Sequence, residues 1–253
     1  MKTWLSRIIV LLSGVGSLLM FAWPLIISSN KNSEAQVAQT VFIVLMPLIL
    51  TLMVIEFSSG EITSKQLALL GVLIALNAVI RMLGAGTAGI ETAFFLVIIG
   101  AYVFGSGFGF LLGSGSIFVS ALLTGGVGPW LPFQMMGVGL VGLGAGLIPK
   151  ARKWLEKANL VIYAVLASFA YGSLMTLWNW PYLAGTGTSV SYQAGASVAS
   201  NLGRFIQYEL VTGGFFWDTG RAITTSVLIL LTSTALITSL RRAATKAGVL
   251  SKS

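Results

Sequence analysis

Residues 84–137 read GAGTAGIETAFFLVIIGAYVFGSGFGFLLGSGSIFVSALLTGGVGPWLPFQMMG. Two apolar runs meet at the turn Gly105-Ser106-Gly107. The second ends in the loop Gly125-Gly126-Val127-Gly128-Pro129-Trp130, and a third apolar run begins around the polar Gln134. No stretch here has the polar character of a soluble catalytic loop. Its glycines and alanines instead fit tightly packed membrane helices joined by short loops.

Composition extends that reading to the whole chain. Apolar residues make up 56% of it and charged residues 9%, whereas a soluble domain carries about 25% charged residues. One soluble core cannot hide so much apolar surface, so lipid is the solvent for much of it. There is no cysteine and no histidine, which removes disulfides, thiol nucleophiles, imidazole bases and the usual zinc or haem ligands. The seven acidic residues are too scattered for a carboxylate metal cage, so neither a metal nor a cofactor is expected. The net charge of +8 could point to nucleic acid, but that reading needs a basic face on a soluble surface.

A helical span needs about 20 apolar residues. Eight candidates follow: 8–27, 37–57, 67–83, 92–104, 108–124, 131–148, 160–178 and 222–240. The fourth is short, and Pro47 sits inside the second as an expected kink. The first is read as a retained anchor rather than a cleaved signal, because its apolar part is long and no small-x-small site follows. Lys and Arg gather on the cytoplasmic side of a membrane protein. With the N-terminus inside, eleven of the fifteen bases fall inside and only Lys31, Arg81, Arg204 and Arg221 outside. The whole +8 excess then lies on the inner side. The expected architecture is an all-α integral membrane protein of a prokaryotic plasma membrane, with eight spans and both termini cytoplasmic. It divides into two N-terminal helices (1–60), a six-helix core (61–245) and a basic tail (246–253).

The outward segments are then 28–36, 84–91, 125–130 and 179–220. The last is too long for a plain connection. Its part 194–211 has Val198, Leu202, Phe205, Ile206 and Leu210 at helical spacing, which predicts a surface helix with those residues on one side. It is either a lid or a solvated loop with an interfacial helix.

Polar residues inside spans default to function, and here they are few. Asn77 and Gln134 lie within spans, while Arg81, Glu91, Asp218 and Arg221 lie near outer ends. A site just below the outer surface can draw on Asn77, Arg81, Glu91, Trp130, Gln134, Trp178, Asn179, Tyr182 and Asp218. Aromatic walls with a few hydrogen-bonding groups suit a flat, amphipathic ligand. Trp178 and Trp180 fit an interfacial aromatic belt equally well, and the charged residues could simply pair with one another. Ala68, Gly71, Ala75 and Ala78 give the third span a smooth face, for packing within the chain or for docking another membrane protein.

Several of these runs together resemble one family. They are Leu70–Arg81, Gly84–Glu91, Phe104–Gly113, Leu122–Met135 with its Gly-Pro-Trp-Leu-Pro-Phe-Gln-Met, and Asp218-x-x-Arg221-Ala222. The stretch from about Lys65 to Arg242 is similar to the substrate-binding (S) components of energy-coupling factor (ECF) transporters. The resemblance implies a six-helix core that captures a vitamin or related micronutrient from outside, a cobalamin-type ligand being the first expectation. It implies a membrane scaffold (T) subunit and two cytoplasmic ATPases as partners, with Ala68, Gly71, Ala75 and Ala78 toward the scaffold. The chain departs from the family in its two extra N-terminal spans and in glycine at Gly71 where alanine is usual. It has no phosphate-binding loop of its own, so it is expected to be no enzyme. A stand-alone secondary carrier is the alternative, and a membrane-embedded lipid enzyme a third reading that lacks candidate chemistry.

Overall fold

The computed structural model of the chain describes residues 2–26, 44–55, 63–84, 90–151, 153–183 and 187–246. Among these residues it is all-helical, with no strand. Helix α1 (Lys2–Phe21) is followed by a single turn α2 (Trp23–Ile26), and α3 covers Val44–Ile55. Then come α4 (Ser64–Gly84), α5 (Ala93–Phe104), α6 (Ser106–Thr124), α7 (Leu131–Ala145), α8 (Lys153–Leu183), α9 (Val198–Thr212) and α10 (Gly214–Lys246). The expected loop 28–36, the first part of the span 37–57, residues 85–89, residues 184–186 and the tail 247–253 lie outside the described residues.

Four helices are long and apolar enough to cross a membrane: α4, α6, α8 and α10. The apolar parts of α1, α3, α5 and α7 are shorter. Helices α8 and α10, at 31 and 33 residues, outrun the spans expected for them. At 1.5 Å per residue they reach about 45–50 Å, beyond a hydrocarbon core of about 30 Å.

Helix α5 forms the axis of the bundle. Every residue from Ala93 to Val103 is buried, which is why its sequence is apolar all round rather than on one stripe. It packs against α4, α6, α7, α8 and α10. Its neighbours have two-faced sequences. On α4, Leu70, Leu73, Asn77 and Ala78 turn inward while Leu67, Val72, Leu76, Val79 and Leu83 stay exposed, as lipid-facing residues do. On α10 the inward stripe is Asp218, Ala222, Thr225, Ile229, Ser233, Ile237, Leu240 and Ala244.

Helices α6 and α7 meet backbone to backbone. A Cβ on Gly142 would overlap the carbonyl of Gly109, so a glycine is required at this crossing. The glycine-rich patterns of these two helices are thus internal packing, which lets van der Waals contact hold helices together in lipid.

The bundle has two chemically distinct ends. At one, Lys150 lies over the Tyr102 ring at 4.0 Å, and the Tyr102 hydroxyl accepts from the Ala151 N–H at 3.1 Å. Arg241 pairs with Glu156 there, and Lys65 Nζ reaches the Lys246 carbonyl at 3.5 Å. Burial pushes the Lys150 ammonium below its ordinary pKa; the Arg241 charge adds to this and Glu156 opposes it. Helix α1 lies along α7 and α8, and a small second core joins α2, α8 and α9 through Leu177, Trp180, Phe205 and Tyr208.

Candidate functional site

The end opposite the basic one holds most of the polar residues expected to matter. Two turns into α10's amino-terminal part, Asp218 and Arg221 form an i, i+3 ion pair, and the Arg221 guanidinium also donates to the Ser168 carbonyl on α8 at 3.2 Å. The guanidinium lies 5.0 Å from the Tyr171 ring centre and 5.8 Å from that of Phe94 on α5. Asp218 is 3% exposed. Its carboxylate fills the space beside Gly172, where any Cβ would overlap it.

Helix α4 approaches from the other side. Arg81 donates to the Ser120 hydroxyl on α6 at 2.9 Å, and its Nε is buried with no partner among the described residues. One turn further in, Asn77 is fully buried, and both amide atoms lack partners there. Glu91 accepts the Ala93 N–H at 3.2 Å, placing a carboxylate at the start of α5 where the helix dipole favours negative charge. Thr92 donates to the Ile80 carbonyl at 2.7 Å, tying the start of α5 to the end of α4. Tyr171 on α8 feels the charges of Arg221, Glu91, Arg81 and Asp218 together. Of these charges, Arg221 lies against the Tyr171 ring, while Arg81 and Glu91 are held by their own partners on α6 and α5.

A third carboxylate comes from α9. Glu209 is 6% exposed, hydrogen-bonds Thr176 on α8, and leaves Oε1 without a partner among the described residues. Burial raises its pKa and the nearby Asp218 charge adds to this; the Thr176 bond and Arg221 pull the other way.

Two turns along α8 from Tyr171, the aromatic part begins. Trp178 stacks on Phe133 of α7 with ring centres 4.0 Å apart and planes 7° from parallel. It is 5% exposed, and its indole N–H has no partner among the described residues. Trp180 is fully buried, donates to the Val190 carbonyl at 3.0 Å, and packs edge-on against Phe205 and Tyr192. Burial of Trp178 and Trp180 rules against an interfacial belt for these two rings. At the rim, Trp130 and Tyr182 are partly exposed, and Gln134 and Asn179 are half-buried.

The structure thus packs Asp218 and Arg221 against Tyr171, two turns along α8 from Trp178, while Arg81 bonds Ser120 on α6 and Asn77 lies buried one turn further into α4. Spacing alone did not single out Glu209, Tyr171, Phe94 or Phe133 as contacts of that region, whereas the pairing of Asp218 with Arg221 was among the expectations. The one sequence signal for Tyr171 was the Tyr171-Gly172 pair, a large ring beside a missing side chain, and it becomes meaningful only once α10 is docked. A groove of about 260 Å³ between α1, α7 and α8, lined by Leu18, Gly137, Leu140 and Leu174, reaches Tyr171. A larger one of about 380 Å³ lies between α3, α4 and α6, among Val54, Leu70, Ile74 and Phe118, and Met135 of α7 also lines it.

Two expectations change. Helix α9 forms with Val198, Leu202, Ile206 and Leu210 together on an exposed side, but Phe205 leaves that side and turns inward with Asn201, Tyr208 and Glu209. Polar anchors choose the face. The Asn201 amide takes two hydrogen bonds with the Gln193 backbone, at 3.1 and 2.9 Å, and Glu209 is held by Thr176. On α4, Ala68, Gly71 and Ala75 are exposed, but Ala78 is fully buried. At about 100° per residue, Ala78 stays about 20° from Gly71 round the helix. Its burial therefore comes from packing at its depth in the bundle rather than from a change of face, and the exposed part of the small-residue stripe ends at Ala75.

Comparison with known proteins gives one match. The family model described as ECF transporter, substrate-specific component, matches residues 65–240, more than two thirds of the chain. No curated protein and no solved structure matches.

Proposed function

The chain belongs to the family of ECF transporter substrate-specific components, and on that premise we propose that it is the vitamin-capturing subunit of an ATP-driven importer. Members of this family are membrane transport subunits, not enzymes; they bind small molecules and work with T and ATPase subunits. In our reading the chain crosses the membrane eight times with both termini cytoplasmic. The basic end faces the cytoplasm and the charged-aromatic end faces outward.

The observation that carries the site assignment is the buried Asp218–Arg221 pair against Tyr171, two turns along α8 from the Phe133–Trp178 stack. A flat ring system enters by parting the two aromatic rings, which requires about 3.5 Å of extra separation. The unpartnered Trp178 N–H and Asn77 amide then supply donors for its carbonyl or amide edge, and the charged groups orient its polar tail. Trp130, Gln134, Asn179 and Tyr182 form the rim. A riboflavin-like heterocycle meets these requirements; a corrinoid of the cobalamin type, with axial groups on both faces of its ring, would sit over the aromatic rings rather than between them. The exposed stripe Ala68–Gly71–Ala75 faces the scaffold subunit, and residues 61–245 form the binding core to which the first 60 residues are added.

Native mass spectrometry of the purified full chain tests this directly. It should reveal one tightly held small molecule with a planar chromophore. Arg81→Ala should weaken its affinity by more than about tenfold, as truncation of a buried charge partner does, with a smaller loss for Gln134→Ala. Unchanged affinity in both variants would remove the site assignment while leaving the family intact. Uptake by the chain alone, driven by an ion gradient and insensitive to ATP depletion, would favour the secondary-carrier alternative.

A further inference from the structure

The family match begins at residue 65, so it leaves α1, α2 and α3 without a role. An added membrane anchor needs only an apolar surface. Helix α1 has one, with Leu11, Leu12, Val15, Leu18 and Leu19 exposed, but its end does something else. Phe21 is fully buried and meets Phe133 edge-on at 5.5 Å. Trp23 is 1% exposed, and its indole N–H donates to the Trp178 backbone carbonyl at 2.8 Å. Its ring also tilts against Tyr182 and Tyr192, each 6.3 Å away.

Local sequence explains how this contact arises. The helix breaks at Ala22, and Pro24 follows at the start of α2, so the chain turns at Trp23 and α2 packs on α8 and α9. On the receiving side, Pro181 lies in the last turn of α8. It offers no N–H to the preceding turn and loosens the helix there, at the turn whose Trp178 carbonyl Trp23 reaches. Both members of the stack are therefore tied to residues from outside the matched core: the Phe133 ring by Phe21, and the Trp178 backbone carbonyl by the Trp23 indole N–H.

We propose that the N-terminal extension completes the ligand site, with Phe21 and Trp23 as the wall behind the Phe133–Trp178 stack and Trp23 as the residue that sets access and retention. This rests on the reading of that stack as the place where a planar ligand enters. It makes the extension a determinant of what the subunit holds and for how long. Parting the stack displaces Phe133 toward Phe21 or strains the turn of α8 that Trp23 holds, so the extension yields with each capture and release.

The chain has no cysteine, so a single introduced thiol is a unique target for a membrane-impermeant maleimide. In proteoliposomes of the full chain, Phe133→Cys should label slowly. Adding Trp23→Ala should speed labelling by about tenfold or more, because a local opening is no longer required. Trp23→Phe, which keeps a ring, should largely restore the slow rate. Trp130→Cys, 45% exposed in the parent chain, serves as the control that labels fast in both backgrounds. Trp178→Cys is the second reporter should Phe133→Cys fold poorly. Equal rates with and without Trp23 overturn the inference. Release of hydroxocobalamin and of riboflavin, each followed by its own absorbance, adds the ligand arm. Trp23→Ala should hasten release of whichever binds, and unchanged release also overturns the inference. If neither probe binds while labelling still answers to Trp23, the ligand class falls and the wall stands.

Discussion

Glu209 and Asp218 are two buried acids served by one nearby arginine, and the imbalance falls on Glu209. Its pKa is raised, chiefly by burial and further by Asp218. A carboxyl whose folded pKa exceeds its unfolded value contributes its stability fully below the unfolded pKa. That contribution is lost as pH rises through the folded pKa. Docking of α9 should therefore be firmest under acid conditions and weaken above the ordinary carboxylate range. Hydrogen exchange of the α9 amides across that range checks this, and Glu209→Gln, which stays neutral, should flatten the dependence. A profile as steep in the Gln variant as in the parent chain would assign the effect elsewhere. Gly172 offers a second test at this scale. Gly172→Ala places a methyl group into the Asp218 carboxylate and should cost about 1–3 kcal/mol of stability. Gly203→Ala, on α9 with open space around it, should be neutral or stabilising by up to about 1 kcal/mol. Thermal melts in detergent compare the pair.

Among the helices, what was legible in the sequence divides by the kind of signal. Runs of apolar residues broken by glycine-rich turns located α4 through α7 to within a few residues, because the breaks at Gly105 and at 125–130 are chemical. The ends of α8 and α10 were set short, since charged residues such as Glu156 and Lys157 or Arg241, Arg242 and Lys246 continue a helix into water without an apolar signal. Rotation of a helix about its axis was the least legible property. On α9 the apolar stripe kept Val198, Leu202, Ile206 and Leu210 on one side. Which face turns inward was set by Asn201, Phe205 and Glu209, and bonds to Gln193 and Thr176 require the tertiary partners to be known. The same limit hid Trp23: Trp23-Pro24 marked the end of a span, and nothing in its spacing paired it with Trp178, 155 residues on. The exposed stripe on α4 carries its own prediction. Ala75→Trp should abolish assembly with the scaffold subunit in a pull-down and stop uptake, with affinity for the captured molecule unchanged. Retained uptake would move the docking face off α4.

Taken as a whole, the molecule is organised around a helix that has no contact with lipid. The bundle's basic end and its charged-aromatic end are joined through α5, with Tyr102 near one terminus and Glu91 at the other. Twelve residues make about 18 Å of helix, short of the hydrocarbon thickness. That shortness has a consequence for how the protein is made. A segment of this length is a poor candidate for being threaded into the bilayer on its own during synthesis. Gly105 is the single residue between it and α6, so the two are expected to enter as one hairpin, with α6 carrying α5 in. Chains truncated after Phe104 and tagged with a glycosylation acceptor in an insertion assay should show α5 failing to cross. Chains extended through Thr124 should show both helices inserted. The axis of the finished bundle would then be a passenger in its biogenesis, lodged by its neighbour and held afterwards by the helices that close around it.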